Sequence, residues 1–281
     1  MATSRSKPAA ALPDDEQDPA DAASTDAMEG AGDPNFMTSL ARGLQVIRAF
    51  SEFRRHLTIA QVSQATGMSR AAARRCLYTL QKLGYVAEDD RRFSLRPQVL
   101  ALGHGYLSST PLAVIAQPYL DQVSRNLRES CSIAILDGED IVYICRSAET
   151  RIMSISLIVG TRLPAYCTSM GQVLLAQLPQ PALEDYLARV KLVERTGQTI
   201  TSVAKLRKTL AKTREQGFAM IDQELEVGLR SIAVPIRDLR GQVIAAINVG
   251  AHAARVTLDE MKTRFLPALQ ACSAELNQLL A

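Results

Sequence analysis

Tryptophan is absent from the 281 residues, aromatics make up only 5%, and there are three histidines and five cysteines. Each scarcity excludes something. His56, His104 and His252 stand alone, with no paired Cys/His spacing, so neither a metal site nor a cofactor is expected. The cysteines, at 76, 131, 145, 167 and 272, are scattered and odd in number, without a CxxC pair; they read as free thiols of a reducing cytoplasm rather than a disulfide framework. No apolar run is long enough to cross a bilayer. The early "AAAL" stops at Pro13 and meets "DDEQD", too short and too acidic for an export signal. A cytoplasmic protein without membrane partners is expected.

What is present is unevenly placed. The formal charge of +3 hides an acidic start, in which residues 1–35 hold two basic residues against eight acidic ones. Residues 36–97 hold eleven Lys/Arg against four acids, while the remainder is close to balanced. The first segment, rich in Ala, Asp and Pro, reads as a disordered acidic tail. The second has the charge footprint of a nucleic-acid-binding module.

Its pattern agrees with that footprint. Leu40, Leu44, Ile47 and Ala49–Phe50 recur at helical spacing between Phe36 and Phe53. Thr58 followed by Gln61 forms a capping-box pattern that starts a helix at Ile59, with Ile59, Val62 and Ala65 on its buried side. Gly67 stops that helix and Ser69 caps the next. On the wheel of this third helix, Ala73, Cys76, Leu77, Leu80 and Leu83 share one side. Arg70, Ala71, Arg74, Arg75, Tyr78, Gln81 and Lys82 fall elsewhere, with no acid among them. A solvated face usually mixes signs, so the missing counter-charge is assigned to DNA phosphates and guanine edges. The segment "YVAEDDRRFSLRP" then reads as a hairpin with Arg91 and Arg92 at or near its tip, a wing. Residues 36–97 are therefore expected to form a winged helix-turn-helix, with Ser69 and the polar positions above as its DNA-binding set.

A linker helix is expected over 98–110, and an α+β domain with an antiparallel sheet over 111–281. Its elements are a helix interrupted at Pro118, strands around the Asp137–Gly138 turn, and a strand in "RIMSISLIVG". A helix in "TSMGQVLLAQL", a basic helix over "SVAKLRKTLAKTREQG" and a strand in "FAMIDQE" follow. A last hairpin around Asp238–Gly241 and a helix from Thr257 to Leu280 complete the domain.

"SLARGLQVIRAF", "LPAYCTSMGQVLLA" and "GFAMIDQELEVGLRSIAVPIRDLRGQVIAAINVG" together resemble the IclR family of bacterial transcriptional regulators. "DPNFMTSLARGL", "LGHGYLSSTPLAVIAQPYLD" and "RLPAYCTSMG" are similar to its branch governing protocatechuate and β-ketoadipate catabolism, the PcaR, PcaU and PobR type. The resemblance implies a winged helix-turn-helix, a linker helix and a GAF-like effector domain, working as a homodimer or dimer of dimers. It further implies operator DNA, a small carboxylic-acid effector and RNA polymerase as partners. It places effector-binding residues at Thr168, Ser169, Met170, Ile221, Asp222, Leu229, Ser231 and Asn248, with Tyr166, Tyr143, Arg146 and Arg162 as candidates to complete the wall. The start of a helix at Ser169–Gly171 suits a carboxylate. β-Ketoadipate, protocatechuate and 4-hydroxybenzoate all carry one and stay open, as does the sign of regulation; activation with autorepression is what the branch implies. The competing readings are a repressor sensing another organic acid and a thiol-based redox sensor or enzyme; no enzymatic activity is expected.

Overall fold

The computed structural model describes residues 33–51, 54–148 and 157–280. Residues 1–32 of the acidic tail and most of "RIMSISLIVG" lie outside the described residues; Ile158 to Gly160, at its end, form a turn rather than a strand. The chain divides into two compact units between Gly105 and Tyr106.

In the first unit, α1 (Thr38–Arg48), α2 (Ile59–Thr66) and α3 (Arg70–Lys82) precede a two-stranded hairpin, β1 (Val86–Asp89) and β2 (Arg92–Leu95). The local signals act as read. Thr58 accepts from the Gln61 N–H while the Gln61 side chain accepts from the Thr58 N–H, and Gly67 turns left-handed with φ of 68°. Ser69 caps α3 through the Ala72 N–H. Val46, Val62, Ala73, Leu77, Val86 and Phe93 form the core. Leu57 pairs with Phe93 as an isolated bridge, which fastens the wing to the segment leading into α2. One expectation fails here, since Leu83 lies past the end of α3 and is exposed. The stripe on α1 forms a helix as its spacing indicates, with Leu40 and Leu44 facing solvent and Val46 and Ala49 buried. Helical periodicity identifies an apolar face without saying what covers it.

A short 3-10 turn (Pro97–Val99) leads to α4 (Leu100–Ser109), none of whose residues is buried. In the second unit Pro118 restarts the chain, giving α5 (Pro111–Ile115) and α6 (Gln117–Leu127). Six antiparallel strands follow in the spatial order β5-β4-β3-β8-β7-β6: β3 (Ser130–Asp137), β4 (Asp140–Ser147), β5 (Arg162–Pro164), β6 (Ala219–Asp222), β7 (Leu229–Arg237) and β8 (Val243–His252). A 3-10 turn (Ala165–Cys167), α7 (Ser169–Gln177), α8 (Gln180–Arg189) and α9 (Val203–Gln216) separate β5 from β6. The chain closes with α10 (Leu258–Glu260), a π turn (Met261–Phe265) and α11 (Leu266–Leu279). Neither β5, three residues long, nor α8 was foreseen.

The sheet is buried on both faces. Ala134, Tyr143, Ile221, Leu229, Ala233 and Ala246 join the core shared with α7, α8 and α9. Ile133, Ile232, Val234, Ile247 and Val249 join the core shared with α6 and α11. Between β3 and β4 the register slips at Ile133/Ala134, so that both Ile144 and Cys145 pack into the α6/α11 core. The bulge resets the alternation, and Arg146, opposite Ser132, returns to the α7 face.

Candidate nucleic-acid interface and ligand site

Arg70, Ala71, Arg74, Arg75, Tyr78 and Lys82 are all exposed on α3. No ion pair neutralises these cations among the described residues; the nearest internal compensation is Lys82 lying 5.4 Å above the Tyr78 ring. Gln81 differs, since it is half-buried and its amide donates to Glu88 on the wing at 3.5 Å. Ser69 is committed to capping, with its hydroxyl 3.3 Å from the Ala72 N–H. At the wing tip Asp90 and Arg91 both have left-handed backbones, φ 46° and 62°, as a two-residue hairpin turn requires. Arg91 sits in that turn and Arg92 on the strand beside it, opposite Asp89; both are exposed. Helix α3 thus presents a band of cations with no acid on its own face, suited to phosphate and guanine contacts, and the wing adds Arg91 and Arg92 beside Asp89 and Asp90.

In the second unit the α7 face of the sheet carries a polar lane through otherwise apolar walls. Ile221, Ser231 and Gly250 stand opposite one another across β6, β7 and β8, and Ala233, Asn248, Ser132 and Arg146 form the adjoining row from β7 to β4. Above the first row lies the start of α7, where the Ser231 hydroxyl donates to the Ser169 hydroxyl at 2.8 Å, both side chains being buried. Thr168, not Ser169, is the N-cap, accepting from the Gly171 N–H. The N–H groups of Ser169 and Met170 have no acceptor among the described residues. Met170, Ile221 and Leu229 are buried apolar walls. Asn248 is half-buried and its amide is unpartnered among the described residues.

Arg146 closes the other end. Its Nη1 donates to the Ser132 hydroxyl at 3.0 Å, while its Nε is buried without a partner. No carboxylate pairs with it among the described residues, and burial pulls the guanidinium below its ordinary range. The Tyr143 hydroxyl on the same strand is pushed up to about 12, chiefly by burial, so it stays a neutral donor. A half-buried cation whose Nε is sealed from solvent without a counter-anion is costly to hold. It makes sense where a ligand supplies the anion.

Three expected liners turn elsewhere. Asp222 lies on the far face of the sheet, because side chains alternate and Ile221 takes the near face. There Arg230 holds it at 2.7 Å and also donates to the carbonyls of Ala253 and Val256. The Tyr166 hydroxyl is engaged by the Val193 backbone, donating to its carbonyl at 2.7 Å and accepting from its N–H at 3.2 Å. Arg162 pairs with Asp137 and Asp140 at the surface. The thiols offer no activated nucleophile: burial raises all five, Cys145 to about 11 and Cys167 and Cys272 to about 12.

One residue was missed. Glu224, just beyond β6, accepts from the Gln172 amide of α7 at 3.0 Å, and the same amide donates to the Tyr166 carbonyl. Burial raises the Glu224 carboxyl to about 7 against the helping pull of Gln172 and Lys205. The folded chain therefore holds this proton where the unfolded chain has already lost it. Stability from this group is fully present below the ordinary carboxylate range and declines as pH rises towards 7. Glu224→Gln should abolish that decline, of order 2 kcal/mol, in urea titrations at pH 5 and pH 8. Equal pH dependence in both proteins would refute the assignment.

Residues 39–90 match the IclR helix-turn-helix domain and residues 104–278 the bacterial transcriptional regulator IclR C-terminal domain. The Pca regulon regulatory protein of Pseudomonas putida is 57% identical over 246 residues, 87% of this chain and 84% of that one. A crystal structure of a transcriptional regulator from Rhodococcus sp. RHA1 superposes with a TM-score of 0.77 at 45% identity, covering 87% of this chain and 98% of the other. The inducer-binding domain of Acinetobacter PobR, solved as a double mutant with 3-hydroxybenzoic acid, superposes with a TM-score of 0.56 at 30% identity, covering 59% of this chain and 97% of the other.

Proposed function

Because the chain belongs to the IclR family, in the branch of the Pca regulators, and is a ligand-responsive transcriptional regulator of aromatic-acid catabolism, we propose the following division of labour. Two copies of α3 enter successive major grooves of a near-palindromic operator while the Arg91–Arg92 wing tips follow the backbone. The observation that carries this reading is the set of exposed α3 cations without an acid partner. Arg70, Arg74 and Arg75 read base edges and phosphates, Tyr78 and Lys82 hold phosphates, and Gln81 braces the wing.

The homodimer uses the apolar residues that the first unit leaves uncovered. Met37, Leu40 and Leu44 are 66%, 60% and 45% exposed along one side of α1, and a second copy supplies the cover that their spacing anticipates.

The effector is a small carboxylic acid lying along the polar lane. Its carboxylate sits on Arg146 and Ser132, its body rests over Asn248 and Gly250 between Met170 and Ile221, and its far polar group meets Ser169, Ser231 and the start of α7. The Arg146 guanidinium reaches Ser132 on β3, and two strand spacings of about 4.8 Å separate β3 from β7, so roughly 10 Å lies between the guanidinium end and the Ser231 end. That length accommodates a hydroxybenzoate, protocatechuate or β-ketoadipate. The 3-hydroxybenzoic acid bound to the PobR domain is the same kind of molecule. Binding shifts DNA affinity to the extent that it favours one arrangement of the dimer.

The test of the DNA surface is fluorescence anisotropy on operator DNA. Arg74→Ala should weaken binding roughly 10- to 100-fold, and the wild-type affinity should fall steeply with added salt. Unchanged affinity, with effector binding intact, would remove α3 from the interface.

A further inference from the structure

At the opposite end of α7 from the polar lane lies a cleft of about 710 Å³, lined by Arg214, Arg237 and Arg240 over a floor that includes Leu136, Leu174 and Val243, with no acidic residue in its wall. We propose that this cleft is a second binding site, for an organic anion with an apolar body, separate from the effector lane. The argument rests on how the three guanidinium groups are held. Arg214, on α9, donates through Nε to the Ala176 carbonyl and through Nη2 to the Leu178 carbonyl at 2.6 Å, at the C-terminal end of α7. Arg237 donates through Nη1 to the Gly241 carbonyl at 2.9 Å and through Nη2 to the Gln177 side chain at 3.5 Å. These bonds fix two planar forks while leaving Nη1 of Arg214 and Nε of Arg237 unspent. Arg240, on the turn between β7 and β8, has no partner for its guanidinium among the described residues. The one acid in that turn, Asp238, is occupied by the N–H groups of Arg240 and Gln242 at 2.9 and 2.8 Å.

Three like charges around an apolar floor repel one another until an anion arrives, and the two fixed forks need no reorganisation to receive it. The volume lies within the range of small-molecule sites, and the mixture of aliphatic floor and a few convergent donors is their usual composition. A carboxylate on a ring or short chain satisfies both parts. An inorganic anion would leave Leu136, Leu174 and Val243 uncovered.

The probe is 4-fluorobenzoate, followed by fluorine NMR on the full-length protein. Wild type should bind two per chain. Arg146→Met should remove the lane site and leave one, and Arg240→Glu should weaken the remaining one at least tenfold, with Arg240→Lys retaining most of it. Arg240→Glu disturbs no bond of the described structure, so its melting temperature should stay unchanged. Residual binding that is absent in Arg146→Met, or indifferent to Arg240→Glu, overturns the proposal. Sedimentation that finds a self-association lost in Arg240→Glu and untouched by 4-fluorobenzoate also overturns it, because the cleft is then a seat for a second copy. If Arg146→Met still binds two, the lane reading fails while the cleft is judged by Arg240→Glu alone.

Discussion

Arg146→Met should lower effector affinity at least 100-fold while leaving the protein as stable as wild type, or more so. The two halves of this expectation come from one observation. Arg146 is half-buried on the α7 face, its Nε sealed from solvent without a partner and only the Ser132 hydroxyl as a side-chain acceptor among the described residues. Removing a cation that no carboxylate balances leaves no orphaned anion behind, and methionine fills a similar volume. Binding loses a charge-assisted, largely desolvated pair, and such losses are about 2–5 kcal/mol. Isothermal titration with the three candidate acids measures the affinity, and urea unfolding of the free protein measures the stability. A variant that unfolds early and still binds normally would make Arg146 a brace for the sheet and no anchor. Arg146→Lys separates charge from geometry: a point charge without the planar fork should recover part of the affinity.

The second large effect is on folding. A Cβ at Gly171 would stand 2.1 Å from the Ala165 carbonyl oxygen and 2.4 Å from the Ala165 Cα, so α7 lies directly on the backbone of the preceding 3-10 turn. Nothing there is a flexible side-chain end that can give way. Gly171→Ala must lift the first turn of α7, where Thr168 caps and Ser169 meets Ser231. The expected cost is about 3–5 kcal/mol, the scale of severe overpacking, with effector binding lost as well. Gly43→Ala is the control: nothing lies within 4 Å of its Cβ position on α1, and alanine there should stabilise by about 0.5–1 kcal/mol. Denaturant midpoints at constant slope decide both. Equal, small changes at the two sites would mean that the α7 contact is loose in solution.

The DNA-binding unit was legible because its punctuation is local. Thr58, Gln61, Gly67 and Ser69 each act within four residues of themselves, and the structure uses each in the role its chemistry suggests. The ligand face was half legible. Ser169, Met170, Ile221, Leu229, Ser231 and Asn248 are brought to one side of the sheet, whereas Asp222, included with them through the resemblance, stands on the other side with Arg230. Arg146 stood among the candidates without a direction, for a physical reason. Strict alternation from Tyr143 would send it to the α6/α11 core, and only the bulge at Ile144–Cys145 returns it to the lane. A bulge leaves no mark in a β-forming run such as Ile141–Ile144. Glu224 left none either, since its proton affinity arises from burial that only the folded chain provides, partly offset by the Gln172 amide 52 residues away. The exposed Leu40 and Leu44 show the converse limit, in that an apolar stripe looks the same whether its own chain or another buries it.

The left-handed backbone at Asp90 and Arg91 has a consequence for stability. Asparagine and glycine occupy such turns with less strain than aspartate and arginine, so this wing is not the most comfortable hairpin its strands could carry. Replacing the pair by Asn-Gly should therefore relax the turn and stabilise the first unit while removing one of the wing's two tip arginines. Thermal resilience and surface charge pull this loop towards different residues.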